Sequence, residues 1–569
     1  MMQIRLFQED VDRFLQDGTG SSPSLIANPH LNAPAIIAHS LGLPAKALAG
    51  LLSTADRFTA SNPYRLWSRQ EGLSFQQMKF LRDRIDISGC APSLETLVLA
   101  VLGIAEEAGQ SFCDLRDLCC KVAAHGACHI REAATAVGKL IREGDLTEFS
   151  WLGIRRIALT RHFRQEQRLK TALSDRLRAM SPATDTEIGL AAAGAGIKLH
   201  EEQADAVRLA LENRVCIIQG GPGTGKTTIL KTIVEALARR GEAKDPLCVA
   251  LPARIARMVH DRIGIAAETI HRALEYSDEG FTRNAAFPID ADLVIVEEAF
   301  MIGNDLLDHL IKAIRLDARI IFIGDPEQIE PIGLGKPLEA LAARDLLPTT
   351  RLEHNHRSGA GSTIPKSGRL VMKGKRPIFG ADLALRQTLT AAQSVRDAVV
   401  LYHSLTQLMG EGNVQILTAR HNGLVGTKAI NDAVTERTGF AVGDRIMQLR
   451  NDAAQDFFNG ETGEIVHLDK TSMTIITDGG ATVVYPIRKT GHLAKAHCIT
   501  YHKAQGLEYD AVVMIVDPES KTMINRNLIN VGITRARHKC AIIDQRGALQ
   551  KGLLVRANDN RRTTIGCLP

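Results

Sequence analysis

The sequence predicts an α/β protein in which two parallel sheets follow one another along the chain. Short apolar runs alternate with helical stretches from about residue 190 onward, this alternation occurs twice, and the preceding segment is rich in helix-forming residues. Strands that alternate with helices form parallel sheets with helices on both faces. We therefore expect a mainly helical N-terminal domain at 1–190, a first lobe at 191–350 and a second lobe at 351–569.

Length and composition describe an ordinary globular protein of several domains. A chain of 569 residues is expected to form roughly three to five folded units. Its 45% hydrophobic and 23% charged residues exclude collagen, coiled-coil and disordered proteins. The N-terminus carries acidic residues, unlike a secretory signal, and there is no run of about 18 apolar residues that would predict a membrane helix. The net charge of +5 permits a polyanionic partner without requiring one.

The ten cysteines lack the spacing of a disulfide framework, which favours a cytoplasmic protein. One group of potential metal ligands lies close together in the N-terminal domain: Cys113, Cys119, Cys120, His125, Cys128 and His129. Because this group has no CxxC pair, we interpret its cysteines as small apolar core residues rather than as ligands of a metal or an iron–sulfur cluster.

The two lobes are predicted from two series of short apolar strands. The strands of the first lobe are expected at 215–219, 247–251, 293–296 and 319–323, and those of the second at 414–417, 496–500, 511–516 and 540–543. From about residue 442 to 489 the alternation of strands and helices is interrupted by short strands joined by Gly, Asn and Asp turns. This pattern indicates a small antiparallel barrel inserted in the second lobe. A shorter insertion at about 274–289 is expected to form a hairpin in the first lobe.

The clearest motif is GGPGTGKT at residues 220–227, which fits the pattern GxxxxGK[ST] directly after a predicted strand. Glycines allow the backbone amides to surround phosphates, Lys226 neutralises the β and γ oxygens, and the Thr227 hydroxyl can bind magnesium. The following helix adds the positive end of its dipole. The predicted ATP-binding residues of this loop are Gly221, Pro222, Gly223, Thr224, Gly225, Lys226, Thr227 and Thr228.

Other polar residues stand where they could complete an ATPase site. Gln203 lies upstream on a helical stripe and could pair with adenine, although nearby backbone could equally satisfy its amide. Glu297 and Glu298 end an apolar strand, so we assign Glu297 to the metal and Glu298 to the attacking water. Gln328 follows the next strand and could contact the γ-phosphate, so that this contact is lost when the phosphate leaves. Arg357 and Arg535 could stabilise the transition state across a cleft, or could be ordinary surface arginines.

The order of these motifs resembles that of superfamily 1 helicases. Gln203, GGPGTGKTT, the Glu297-Glu298 pair, GDPEQIEPIG, NHRS, HKAQGLEYD and GITRA follow the family's sequence of motifs. TIHRALEY from Thr269, NPYRL from Asn62, VGDRIMQLRND and FNGETG are similar to the stand-alone RecD-like family of subfamily 1B. The resemblance implies two RecA-like lobes, a hairpin in the first, an SH3-type barrel in the second, and movement from 5′ to 3′ along single-stranded DNA.

The family also implies roles for residues that the patterns alone do not single out. Gly506 and Glu508 would contact the nucleotide. The implied DNA contacts are Pro252, Ala253, Arg254, His271, Thr418, Thr500 and His502. The chain departs from the family at Glu297, where aspartate is usual, at Ala253-Arg254 in place of threonine-glycine, at Phe300 in place of serine and at Asn530 in place of tyrosine.

The sequence therefore predicts an ATP-dependent DNA helicase or translocase that uses ATP and Mg²⁺ and acts on single-stranded and tailed duplex DNA. DNA repair or recombination is the expected setting, no membrane contact is expected, and the oligomeric state is open. The alternatives are a DNA-stimulated ATPase that clamps DNA without unwinding it, and a plasmid- or phage-encoded helicase for DNA transfer. No histidine grouping for a relaxase and no Leu-Ser-Gly-Gly-Gln motif of a transporter ATPase occurs.

Overall fold

The computed structural model describes residues 93–277, 279–356, 361–557, 561–565 and 567. The NPYRL motif at 62–66 and Arg357 lie outside these described residues. The described residues form two compact units, one comprising 93–167 and 561–567 and the other 168–557. Residues 561–567 thus group with the first unit, although the sequence assigned them to the second lobe.

The first unit combines helices with a small antiparallel sheet. Its helices are α1 (Leu94–Glu107), α2 (Leu115–Gly126) and α3 (Ile130–Arg142), and its strands are β1 (Phe112–Asp114), β2 (Leu146–Trp151) and β3 (Ile154–Leu159). The strand order is β1-β3-β2. Cys113 and Cys119 are buried in the core of this unit beside Val98 and Leu118. Among the described residues, no group of three His, Cys, Asp or Glu side chains could hold a metal ion.

The C-terminal residues are tied to this unit through one buried carboxylate. Glu166 lies on α4 (Thr160–Ser174) and is fully buried. It accepts hydrogen bonds from the hydroxyls of Ser111 and Thr563, each at 2.6 Å, and from the backbone N–H of Thr564 at 2.6 Å. A buried carboxylate is stable only when it is hydrogen-bonded in this way.

The first lobe is a six-stranded parallel sheet with helices on both faces. The sheet order is β11-β4-β10-β9-β5-β6. Its strands are β4 (Val215–Gly220), β5 (Pro246–Ala250), β6 (Ala266–Thr269), β9 (Leu293–Glu297), β10 (Arg319–Gly324) and β11 (Thr349–Leu352). Its helices are α5 (Asp185–Gly194), α6 (Glu201–Glu212), α7 (Lys226–Arg239), α8 (Ala253–Ile263), α9 (Ile270–Ala273), α10 (Asn304–Ala313) and α11 (Pro337–Ala343). β4, β9 and β10 are almost wholly apolar because both faces of the sheet are covered.

A short hairpin occurs in the segment where the sequence predicted one. β7 (Tyr276–Ser277) pairs antiparallel with β8 (Gly280–Phe281). The rings of His271, Tyr276 and Phe281 lie within 5.0–6.0 Å of one another, centroid to centroid. The Tyr276 side chain is 59% exposed, so the hairpin presents an aromatic surface.

The second lobe is a five-stranded parallel sheet with the order β12-β21-β20-β13-β19. Its strands are β12 (Leu383–Thr388), β13 (Val414–Thr418), β19 (Cys498–Thr500), β20 (Tyr509–Val516) and β21 (Ala536–Gln545). Its helices are α12 (Ile364–Met372), α13 (Ala391–Met409), α14 (Thr427–Thr435), α15 (Arg526–Thr534) and α16 (Ala548–Gly552). The predicted α/β class with two parallel sheets is therefore confirmed.

An antiparallel sheet interrupts the second lobe between α14 and β19. Its order is β17-β16-β15-β14-β18. The strands are β14 (Arg445–Gln448), β15 (Thr462–Leu468), β16 (Ser472–Thr477), β17 (Thr482–Pro486) and β18 (Leu493–Lys495). Ile446, Phe457, Ile465, Ile475 and Tyr485 form its fully buried core. Its classification as an SH3-type barrel stays a prediction. No helix in the described residues has both the length and the apolar character needed to cross a membrane.

Candidate nucleotide site between the lobes

The loop of the GxxxxGK[ST] motif joins β4 to α7. Lys226 is the first residue of the helix, and its ammonium donates hydrogen bonds to the carbonyls of Gly220 at 2.8 Å and Gly221 at 3.2 Å. Gly223 and Gly225 have φ angles of +80° and +83°, which residues with a Cβ rarely adopt. The loop therefore has the strand, turn and helix N-terminus of a phosphate-binding loop.

Gln203 supports this loop directly. It lies in the first turn of α6 and is 4% exposed. Its Nε2 donates to the Thr224 carbonyl at 3.1 Å, and its Oε1 accepts from the His200 N–H at 3.0 Å. A Cβ at position 225 would lie 2.3 Å from the Gln203 Nε2, so glycine is required there. Backbone groups therefore bond to both the nitrogen and the oxygen of the Gln203 amide. Satisfaction by nearby backbone was the alternative to adenine pairing that the sequence left open.

Three carboxyl groups lie at the ends of β9 and β10, facing the loop. Glu297 and Asp325 are 4% and 5% exposed, and Glu298 is 8% exposed. Burial raises the pKa of Glu297 to about 7, with a further increase from the neighbouring Glu298 and a decrease from Lys226. Burial also raises the pKa of Asp325 to about 6, again opposed by Lys226. Lys226 therefore lies close enough to both carboxyls to stabilise their charged forms.

Glu298 has an unusual backbone. Its φ is +50° and its ψ is +39°, a left-handed conformation that costs a residue with a Cβ roughly 1–2 kcal/mol. Its N–H donates to the Glu297 Oε2 at 2.9 Å. Such strained residues cluster at functional sites because the surrounding structure holds them in place.

Asp325 is a site residue that the sequence reasoning missed, although it stands inside the GDPEQ string. Its Oδ2 accepts from the Gln328 Nε2 at 3.3 Å, and its Oδ1 accepts from the Glu327 N–H at 2.9 Å. The Gln328 Oε1 is buried and has no hydrogen-bond partner among the described residues. A Cβ at Gly221 would lie 3.9 Å from the Asp325 Oδ2, so this carboxyl and the phosphate loop are neighbours.

The second lobe contributes a buried arginine. Arg535 follows α15 and is 3% exposed. Its Nη1 donates to the Leu507 carbonyl at 3.0 Å, whereas its Nε and Nη2 have no partner in the part of the chain that the structure describes. Burial lowers the pKa of Arg535, and the carboxylates of Glu298, Glu508 and Asp325 oppose this change. Because Glu298 and Asp325 belong to the first lobe, the guanidinium lies at the junction of the two lobes.

Two buried asparagines of α15 connect the lobes through hydrogen bonds. The Asn527 Nδ2 donates to the carbonyls of Gln328 at 2.7 Å and Glu327 at 3.3 Å. The Asn530 Nδ2 donates to the Glu327 carbonyl at 3.1 Å. The sequence noted Asn530 only as a departure from a family tyrosine and gave no sign of this contact, because its partners are about 200 residues away.

The segment before residue 357 also contacts the phosphate loop. The Asn355 Nδ2 donates to the Pro222 carbonyl at 2.7 Å, and the His356 N–H donates to the Gly223 carbonyl at 2.8 Å. The rings of His200 and His354 stack at 4.6 Å with an interplanar angle of 7°. The His356 ring lies 4.6 Å from that of His354. The three imidazoles form an aromatic surface beside Gln203.

The residues expected to contact DNA do not all present a free side chain. The Thr418 hydroxyl is fully buried and donates to the Val425 carbonyl at 2.7 Å, which fits a structural role. Thr500 ends β19, and His502 and His271 are exposed. Pro252 caps the start of α8, whose first residues are Ala253 and Arg254.

Arg254 and its neighbour Arg257 both contact the antiparallel insertion of the second lobe. The Arg254 Nη1 donates to the Thr462 Oγ1 at 3.4 Å. Arg257 pairs with Glu461 at 3.0 Å and with Asp456 at 3.4 Å. Helix α8 also approaches Gly506 of the second lobe. Gly506 has a φ of +75°, and a Cβ there would lie 2.3 Å from the Ile255 Cδ1. Helix α8 therefore packs against both the insertion and the Gly506 turn.

Comparisons with known proteins agree with this arrangement. A family described as an AAA domain matches residues 198–392, and one described as a UvrD-like helicase C-terminal domain matches residues 495–543. The ATP-dependent RecD2 DNA helicase of Deinococcus radiodurans is 31% identical over 357 residues, which cover 60% of this chain and 48% of that protein. The RecBCD enzyme subunit RecD of Mycolicibacterium smegmatis is 26% identical over 408 residues, or 62% of this chain and 71% of that protein.

Among solved structures, the Pif1 helicase from Bacteroides in complex with ADP-AlF3 and ssDNA is similar with a TM-score of 0.44 and 17% identity, covering 63% of this chain and 95% of that one. The chain spans about half the length of the RecD2 relative. Over both predicted lobes the chain is thus similar in sequence to RecD-type helicases, and its similarity to RecD2 extends over about half of that protein.

Proposed function

We propose that the chain is an ATP-driven motor that moves from 5′ to 3′ on single-stranded DNA and unwinds duplex DNA. The observation that carries this proposal is the buried Arg535 of the second lobe, whose pKa is influenced by the carboxylates of Glu298 and Asp325 in the first lobe. A site built from both lobes is sensitive to the distance between them, as an ATP-driven motor requires.

The residues present fit a magnesium–nucleotide complex. Glu297 is a buried carboxyl with a raised pKa, Gln328 and Arg535 keep buried polar atoms without partners, and the loop ends at a helix N-terminus. We assign magnesium to Thr227 and Glu297, where the ion would neutralise phosphate charge. The remaining loop residues from Gly221 to Thr228 would surround the phosphates.

We assign the chemistry to five residues of this chain. Lys226 would hold the β- and γ-phosphates, and Glu298 would orient the attacking water and take its proton. Gln328 would donate to the γ-phosphate from its Nε2, and its Oε1 would accept from the attacking water. Arg535, together with Arg357, would stabilise the charge that develops in the transition state. In the same proposal, Gly506 and Glu508 complete the nucleotide site from the second lobe, and Gln203 acts by holding the loop at Thr224.

Movement requires that each lobe hold the DNA strand with an affinity that changes on closure. We propose that the strand contacts Pro252, Ala253, His271, Thr500 and His502, with Arg254 available when its contact to Thr462 opens. Thr418 is left out because its hydroxyl is buried and bonded. The antiparallel insertion is proposed to be an SH3-type barrel, and the similarity to a RecBCD subunit supports a role in DNA repair or recombination.

Single-stranded DNA should stimulate ATP hydrolysis by the purified chain, and Lys226→Ala should abolish that stimulation. A 5′-tailed duplex should be unwound in preference to a 3′-tailed duplex of the same sequence. Hydrolysis that is indifferent to added DNA, or unchanged in the Lys226→Ala variant, would contradict the proposal.

One observation favours a second candidate, an ATP-gated clamp that holds DNA without unwinding it. Glu297 is one methylene longer than the aspartate usual in the family, and its pKa of about 7 leaves part of the population protonated near neutrality. Magnesium binding and hydrolysis would then be slow. Robust DNA-stimulated hydrolysis without strand separation on either tailed duplex would support the clamp.

A further inference from the structure

Helix α12 in the second lobe presents basic residues on one exposed face. Its buried face consists of Ile364, Ser367, Gly368, Val371 and Met372. Lys366, Arg369 and Lys373 are all exposed and are spaced i, i+3 and i+7, which places them within about 60° of one another around the helix. Lys375, also exposed, follows in the next turn. We refer to Lys366, Arg369, Lys373 and Lys375 as the cationic face.

The cationic face has no acidic partner in the part of the chain that the structure describes. None of its four side chains makes an ion pair or a hydrogen bond with another described residue. Residues 354–381 contain six Lys or Arg and no Asp or Glu. The next carboxylate along the chain, Asp382, accepts hydrogen bonds from the hydroxyls of Ser362 and Thr363 and from the Thr363 N–H, and does not pair with the cationic face.

A further cation lies against this surface. A Cβ at Gly374 would lie 2.7 Å from the Arg526 Nη2, so the guanidinium of the α15 N-terminus borders the turn between Lys373 and Lys375. Like charges at three- and four-residue spacing destabilise a helix. The arrangement therefore does not serve the stability of α12, and its charge is complementary to a polyanion.

The cationic face is separate from the DNA contacts already proposed. Helix α12 begins beside β12, because Thr363 bonds to Asp382 immediately before that strand. Thr500 ends β19, at the opposite edge of the sheet. β12 and β19 are four strand positions apart, which corresponds to roughly 19 Å. A single strand that passes over Thr500 thus need not touch α12.

We propose that the cationic face binds the sugar–phosphate backbone of duplex DNA. This inference rests on the proposed function, since it adds the duplex part of a tailed substrate to a protein that moves on the single-stranded part. A duplex carries about one charge per 1.7 Å, and it is stiff over roughly 150 base pairs. It can therefore meet a rigid helix face without the ordering cost that a flexible single strand would incur.

The test is the triple variant K366Q/R369Q/K373Q, compared with the unchanged chain by fluorescence anisotropy over a range of salt concentrations. The probes are a 5′-tailed duplex and its tail strand alone. For the tailed duplex we expect affinity to fall about tenfold near 0.1 M salt, and the slope of log affinity against log salt to become shallower by about 2–3, since each phosphate contact contributes about 0.9. Affinity for the tail strand and its stimulation of ATP hydrolysis should stay within about twofold.

A matched control removes the same charge elsewhere on the second lobe and its insertion. The control positions are three exposed cations, Arg396, Lys470 and Lys521. For R396Q/K470Q/K521Q, the slope of log affinity against log salt for the tailed duplex should stay unchanged. Equal loss of affinity for both probes, or no loss for the duplex, would overturn the inference while leaving the motor proposal intact. Failure of single strands to stimulate hydrolysis by the unchanged chain would instead count against the proposed function itself.

Discussion

Two of the three hydrogen bonds that α15 donates to the 327–328 turn can be removed with one substitution. Asn527 is 1% exposed, and its Nδ2 donates to the Gln328 carbonyl at 2.7 Å and to the Glu327 carbonyl at 3.3 Å. Asn527→Leu keeps the volume of the side chain but cannot donate. Because the acceptors belong to the first lobe and the donor to the second, the substitution acts on the closed arrangement of the lobes. It also removes the acceptor of the Ala557 N–H, a 3.3 Å contact outside the interlobe region, which is why thermal denaturation is measured alongside activity.

The expected magnitude follows from these contacts. A buried carbonyl that loses its only donor costs about 1–3 kcal/mol, and the Glu327 carbonyl keeps a second donor in Asn530. The net loss is therefore about 2 kcal/mol of preference for the closed state, or roughly a thirtyfold fall in its equilibrium constant. If closure is needed for hydrolysis, DNA-stimulated kcat should fall by about tenfold to thirtyfold, and the KM for ATP should change much less because the phosphate loop is untouched.

The assay is steady-state ATP hydrolysis with saturating single-stranded DNA, combined with thermal denaturation. The matched control is Asn431→Leu, because Asn431 is equally buried and bonds the backbone at Lys495 and Cys498 within the second lobe and its insertion. The control should lower Tm while keeping the stimulated kcat of the surviving folded protein. A stimulated kcat in Asn527→Leu within twofold of the unchanged chain would refute the reasoning.

Three further predictions follow from buried or paired charges. Burial raises the pKa of Glu297 from its ordinary 4.5 to about 7, so the folded state binds more protons than the unfolded state between these values, and the free energy of unfolding should fall as pH rises through this interval. Glu297→Gln should remove up to about 3 kcal/mol of this pH-dependent fall in the free energy of unfolding, and an unchanged pH dependence in denaturant titrations would contradict the assignment. Glu166→Ala should destabilise the first unit by about 3 kcal/mol, because it removes the buried acceptor shared by the Ser111 and Thr563 hydroxyls and the Thr564 N–H, and should expose residues 561–567 to carboxypeptidase; Glu166→Gln should do so less. A double-mutant cycle on Arg257→Ala and Glu461→Ala, measured by denaturation, should give a coupling of no more than about 1 kcal/mol because Arg257 is partly exposed, and a larger value would show that this pair dominates the contact of α8 with the insertion.

The parts of the site that sequence reasoning found are those encoded locally. The phosphate loop, the Glu297-Glu298 pair and Gln328 each follow an apolar strand directly, so strand, turn and polar residue can be recognised together in a few positions. Parallel strands then bring their carboxyl ends to one edge of the sheet, which is why these residues meet. The two parallel sheets were predictable for the same reason, since their strands are short apolar runs at regular spacing.

The parts that sequence reasoning could not find depend on contacts between distant segments. Asn527 and Asn530 look like ordinary helix residues, and their function as donors appears only when residues 327–328 are next to them. Arg254 reads as a departure from a DNA-contact motif, but its guanidinium reaches Thr462 on the insertion. The motif likewise gives the position of Thr418 along the chain but not the Val425 carbonyl to which its hydroxyl donates; its predicted contact with DNA stays a prediction.

Helix α15 provides a physical link between the two kinds of interlobe contact. Asn527 and Asn530 lie within it, and Arg535 caps its C-terminus, so the three side chains are carried by one rigid element about 12 Å long. A helix of this length moves as a body, and the asparagine bonds to the 327–328 turn therefore cannot form or break independently of the position of Arg535. Because that turn also carries Gln328, the γ-phosphate contact and the arginine would engage in the same closing movement. The proposed coupling of hydrolysis to lobe closure would therefore need no long chain of intermediates, since one nine-residue helix carries the asparagines and leads directly to Arg535.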